Sequence, residues 1–153
     1  MTGPPPGYDL HPDEDSAARF TAAILANPAW VVAYDIETPR SATQEMDEEE
    51  LGDVDIISIQ FSVAKGTGCF WPWREPYVEF SRTILQSSNW KVGHNNWRFD
   101  DSLLRAHGCI LGGEIHDTRW LWHHLQPDLP AGLQFIASFY GFPHPWKHLS
   151  DSD

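Results

Sequence analysis

The stretch Val31-Val32-Ala33-Tyr34-Asp35-Ile36-Glu37-Thr38 constrains this chain more than any other segment. It reads as a buried strand over residues 30–36 that ends in an Asp-x-Glu pair. On a strand, positions i and i+2 project to one face. Asp35 and Glu37 therefore stand side by side at a strand end. Two adjacent carboxylates repel, and desolvation adds to the cost. A divalent cation removes that cost, which points to a Mg²⁺ or Mn²⁺ site. A solvated loop pair is the ordinary alternative, so the rest of the chain has to decide.

With 153 residues the chain suits one domain with a real core. No apolar run approaches the ~20 residues needed to cross a membrane. The opening Met-Thr-Gly-Pro-Pro-Pro-Gly lacks the regions of a signal peptide. A cytoplasmic protein is expected. Cys69 and Cys109 lack ligand or Cys-x-x-Cys spacing and read as reduced, structural thiols. The formal charge of −12 speaks against a non-specific DNA coat protein. However, seven of the 22 acids fall from Glu45 to Asp55, six of them in a segment read as a solvated loop over residues 40–54. A metal-dependent enzyme holding a few nucleotides is compatible with what remains.

Residues 1–12 are rich in Pro and Gly and read as a flexible tail, leaving 13–153 as the folded domain. A helix is expected over 13–26, ended by Asn27-Pro28. A second strand spans 55–63, where Ile57, Ile59, Phe61 and Val63 alternate with polar residues. Lys65-Gly66-Thr67-Gly68 is a turn, and Cys69 to Trp73 the returning strand of a hairpin. Then come a helix over 77–87, a strand at 90–93, a helix over 97–107, a strand at 114–117, and helices over 118–125 and 131–140. This order predicts an α/β fold: a mixed β-sheet, with an antiparallel hairpin plus parallel strands and helices on both faces.

Two later segments carry chemistry. In Gly93-His94-Asn95-Asn96-Trp97-Arg98-Phe99-Asp100 a strand runs into a polar turn, and a helix begins with an acid. If Phe99 packs inward, Asp100 faces the sheet end and adds a third carboxylate to Asp35 and Glu37. In Ile115-His116-Asp117-Thr118 a second strand meets a helix.

Together these segments resemble the DEDD superfamily of 3′-5′ exonucleases, which have a ribonuclease H-like fold. Within it they are most similar to the proofreading domain of family A DNA polymerases, phage versions especially. Asp35-Ile36-Glu37-Thr38 matches the first motif and Asn96-Trp97-Arg98-Phe99-Asp100 the second. His116-Asp117-Thr118, Leu133 through Tyr140 and Pro145-Trp146-Lys147 resemble the segments that follow. The resemblance implies hydrolysis of phosphodiesters from a 3′ end with two ions, Mg²⁺ or Mn²⁺, held by Asp35, Glu37 and Asp100. Single-stranded DNA is the implied substrate, with RNA as in ribonuclease D-like members the alternative. The implied setting is a bacterial or phage-infected cell, and the implied partner a polymerase domain downstream or a separate polymerase subunit. Thr38, Asn96 and Phe99 are the implied nucleic-acid contacts. Trp97 and Trp71 are further stacking surfaces unless they pack in the core. A catalytically impaired domain that only binds nucleic acid or a partner is the reading from another class.

The family's third motif is Tyr-x-x-x-Asp or His-x-x-x-x-Asp. No Tyr-x-x-x-Asp occurs in this sequence. His123/Asp128 and His148/Asp153 fit the second form. The first pair straddles Pro127, and the second ends on the last residue. The expectation is therefore that this chain stops before the third motif and is C-terminally incomplete, with His148 and Asp153 as the alternative third motif.

Overall fold

The computed structural model describes residues 7–39 and 48–140. Its centre is a strand, β2 (Val32–Glu37), whose alternation decides the layers. Val32, Tyr34 and Ile36 are buried on one side, while Asp35 and Glu37 are exposed on the other. Among the described residues six strands form one mixed sheet. In chain order they are β1 (Gly7–Asp9), β2, β3 (Ser58–Ser62), β4 (Thr67–Pro72), β5 (Lys91–Gly93) and β6 (Ile115–Asp117). Their order across the sheet is β1-β4-β3-β2-β5-β6. β2, β3 and β4 are antiparallel neighbours, with Asp35 opposite Gln60 and Glu37 opposite Ser58. β5 and β6 continue in parallel from β2. The expected α/β architecture is observed.

The helices are α1 (Glu14–Ala26), α2 (Glu48–Gly52), α3 (Tyr77–Gln86), α4 (Asp100–Ala106), α5 (Thr118–Leu125) and α6 (Leu133–Phe139). α1 starts where its sequence says it should. The Asp13 carboxylate accepts from the Ser16 N–H at 2.6 Å, and acids fill the first turn. Its buried face, Ala17, Phe20 and Ile24, joins Ile84 and Leu85 of α3 and Leu103 and Leu104 of α4 over the sheet. Trp71 is the hub of this layer. It is fully buried, with the Phe61, Phe20, Tyr77 and Phe80 rings 5.3 to 6.3 Å away. Its role is packing, which removes it as a stacking surface for bases. The other sheet face is covered unequally. There Thr118 of α5 and Leu133 of α6 border a cavity of about 490 Å³ over β2, β3, β4 and β5.

Several local expectations need correction. Residues 7–9 are strand rather than tail, because Gly7 to Asp9 pair in parallel with Thr67 to Cys69 at the sheet edge. Part of the acidic segment is helical: α2 forms around Leu51, which is buried in the core. Its first part, 40–47, lies outside the described residues. Ile57 precedes the strand and is 53% exposed, while Ile59 and Phe61 are buried as expected. The fourth helix begins at Asp100 rather than at 97. The N–H groups of Asn95 and Trp97 are given to the Asp117 carboxylate, so the chain turns there before it coils.

Candidate active site

Asp35 and Glu37 project from the open face at the end of β2. Asp100 arrives as the first residue of α4 and is only 7% exposed. Burial pushes its carboxyl up to about 8, reinforced by Asp35, then Asp101, Asp117 and Glu37. Desolvation at the strand end, followed by Glu37, raises Asp35 to about 6. Strand β2, the start of α4 and the end of β6 thus bring acids within one another's field.

A buried network sets this spacing. Tyr34 and Asn96 are side by side beneath the acids, and Asp101 completes the group; all three are almost fully inaccessible. The Tyr34 hydroxyl donates to Asp101. The Asn96 amide donates to the Tyr34 oxygen at 2.7 Å and to Asp101 at 3.2 Å. Burial first, and Asp101 next, hold the Tyr34 phenol far above its ordinary value, so it stays a donor. Tyr34 precedes Asp35 and Asp101 follows Asp100, so the network ties together the two elements that present those acids. The Asn96 amide N–H group is engaged in this network, while its Oδ1 is buried without a hydrogen-bond partner among the described residues. Phe99 is half-buried against the core and anchors the start of α4. Thr38 sits half-buried just past β2.

Gly93 is required here by space. A Cβ on it would come within 2.7 Å of the Asn96 side chain. Asn95 takes φ 61°, a left-handed conformation that Asn tolerates better than most residues. Its N–H is held by Asp117 Oδ1 at 2.9 Å, and Asp117 also caps α5 through the Arg119 N–H at 2.8 Å. The next residue, Thr118, meets the His94 ring at 2.9 Å.

The Asp117, Tyr34 and Asp101 contributions were missed from the sequence. The signal for Asp117 was its position as an acid directly before a helix, the ordinary N-cap. Nothing local marks Tyr34 and Asp101 as partners, since 67 residues separate them.

All the donors in this group are carboxylate oxygens, the chemistry a hard divalent cation takes. Desolvation raises both Asp35 and Asp100, Glu37 adds to the rise of Asp35 and Asp35 to that of Asp100, and a cation would offset this cost. As the side chains stand, no three His, Cys, Asp or Glu among the described residues form a closed metal cage. His123 lies exposed on α5, and Asp128 falls beyond that helix, which ends at Leu125. His148 and Asp153 lie outside the described residues. No helix among the described residues is long and apolar enough to cross a membrane.

No protein-family model matches this chain, and no curated protein does. Solved structures do. Escherichia coli RNase D, described as an exoribonuclease involved in structured RNA processing, superposes with a TM-score of 0.68 at 19% identity, over 96% of this chain and 36% of its own. Brucella melitensis NrnC with bound Mg²⁺ gives 0.56 at 17%, over 87% of this chain and 59% of its own. The POL domain of Pol1 from M. smegmatis, in complex with a DNA primer-template and dNTP, gives 0.59 at 20%, over 88% and 22%. The fold is thus one shared with ribonuclease H-like nucleases, and identities this low establish the fold alone. This chain spans about a third of the length of RNase D.

Proposed function

We propose that this domain is a metal-dependent 3′-5′ exonuclease acting on single-stranded nucleic acid. The observation that carries the reading is the burial of Asp100 at the start of α4 within the field of Asp35 and Glu37: desolvation first, and then the neighbouring acids, push its carboxyl up to about 8. A scaffold gains nothing from burying such a group. A divalent cation, or two, bound there would supply Lewis-acid stabilisation and an activated water. Asp35 and Glu37 would hold the cation from the strand, and Asp100 from the helix. The Tyr34–Asn96–Asp101 network keeps the two elements in register. In the overall reaction, water adds across the terminal phosphodiester. A bond forms from its oxygen to phosphorus, the bond to the 3′ oxygen breaks, and that oxygen takes a proton. The released product is a nucleoside 5′-monophosphate.

The finer reading is a DNA 3′ end, presented by a polymerase domain or subunit for proofreading. The motif pattern around Asp35 and Asp100 supports it, together with the fold shared with Pol1. The fold shared with RNase D supports RNA instead. The deciding experiment offers single-stranded DNA and RNA of one sequence with Mg²⁺, with Mn²⁺ and with EDTA, and follows release of 5′-monophosphates. Release that needs the cation and disappears in Asp35→Ala is expected. Release unaffected by Asp35→Ala would refute the site. Parallel loss in His148→Ala and Asp153→Ala would identify that pair as the third motif.

A further inference from the structure

Between the β5–α4 turn and α5 lies a cavity of about 290 Å³ lined by Asn95, Arg98, Arg119, Trp120, His123 and Ala131. The chain holds 22 acids against 10 Lys and Arg, so two arginines at one cavity are a local exception. Arg119 donates one guanidinium N–H to Asn95 Oδ1 at 2.9 Å, which fixes the fork. Arg98 is exposed and has no hydrogen-bond or ion-pair partner among the described residues. Beside them, the Trp97 and Trp120 rings meet edge to face at 6.0 Å, and the His123 ring lies 6.1 Å from Trp120. Trp97 is 59% and Trp120 38% exposed, which is unusual for side chains so large. The packing of the core does not use either of them.

Guanidiniums beside open indole faces match one repeating chemistry, a phosphodiester with a base attached. The position fits as well. Arg98 lies two residues before Asp100, and Arg119 two residues after Asp117, whose charge Asp100 feels. We infer that this cavity is a subsite for a single-stranded oligonucleotide adjoining the acidic centre: Arg98 and Arg119 hold backbone phosphate, while Trp97 and Trp120 stack bases. Its role in catalysis rests on the exonuclease reading, but its binding does not.

The test measures anisotropy of a 5′-fluorescein hexanucleotide, as DNA and as RNA, in EDTA so that no cation contributes. Arg98→Ala/Arg119→Ala should weaken binding by about tenfold or more and flatten the slope of log affinity against log salt by about 1.4, two phosphates at ~0.7 each. Trp120→Ala should weaken it by about tenfold, the loss of one stacked base. Arg119→Lys keeps the charge and separates a lost contact from a lost fold, and should retain most of the salt slope. Arg105→Ala, on α4, is the control and should bind within about twofold of the native chain. Wild-type affinity in the double variant, an unchanged slope, or no binding by the native chain would overturn the subsite. Two further outcomes separate the two readings. Binding that depends on these residues without any hydrolysis keeps the subsite and removes the exonuclease. Cation-dependent hydrolysis with variant binding unchanged does the reverse.

Discussion

Tyr34→Phe is the sharpest perturbation of this molecule. It removes one oxygen from a site that solvent does not reach: Tyr34 is 4% exposed, Asp101 2% and Asn96 0%. The ring still fills its place, so little packing is lost. Asp101 loses a donor and keeps the Asn96 amide at 3.2 Å, while Asn96 loses its acceptor at 2.7 Å. A hydrogen bond to a charged group contributes about 1.5–3 kcal/mol, and a buried group left short of a partner costs within that range or above it. A loss of about 2–3 kcal/mol is expected. At about 2–4 °C per kcal/mol for a chain of this size, the melting temperature should fall by roughly 4–12 °C. Differential scanning calorimetry measures this directly. Adding Asp101→Asn removes the buried charge that has lost its donor, so the double variant should melt above Tyr34→Phe alone. Such non-additivity is the signature of groups in one network. The same variant should bind Mn²⁺ more weakly in calorimetric titration, because the network joins the strand of Asp35 to the helix of Asp100. An unchanged melting temperature in Tyr34→Phe, or strictly additive effects, would refute the account.

Other outcomes follow from the same site and core. In the absence of divalent cations, Asp100 and Asp35 have folded-state values of about 8 and about 6, above an unfolded value of 3.8. Their contribution to stability is therefore complete below about pH 4 and is lost as pH rises towards 8. Asp100→Asn should flatten the decline in melting temperature between pH 5 and pH 8, and a steeper decline would contradict the assignment. Cation binding favours the ionised carboxylates, so Mg²⁺ affinity should rise over the same window with release of protons, measurable by calorimetry in buffers of different ionisation enthalpy. Gly93→Ala places a methyl 2.7 Å from Asn96 and should cost about 1–3 kcal/mol in denaturant unfolding. Trp71→Ala empties the hub of the aromatic layer and should cost about 3–5 kcal/mol, with Trp71→Phe distinctly milder.

The local pattern of the sequence was enough to place most elements, because it is written at short range. The alternation that buries Val32, Tyr34 and Ile36 also turns Asp35 and Glu37 outward, since both follow from the two-residue period of a strand. The Asp13 cap, the period of α1 and the polar turn before Asp100 are equally local. What the sequence left open depends on distant partners. The strand Gly7–Asp9 exists because a sheet edge at β4 satisfies its backbone, and no composition rule for a Pro- and Gly-rich segment anticipates that. Trp71 reads as either a core residue or a stacking surface until four rings from three elements are seen to close around it. Nothing local to Asn96 shows that its amide donates to Tyr34, from a strand 62 residues away. Local propensity fixes where a chain bends and which way a side chain starts. Only tertiary packing decides which two buried polar groups meet, because each must find its partner across a layer once water has been excluded.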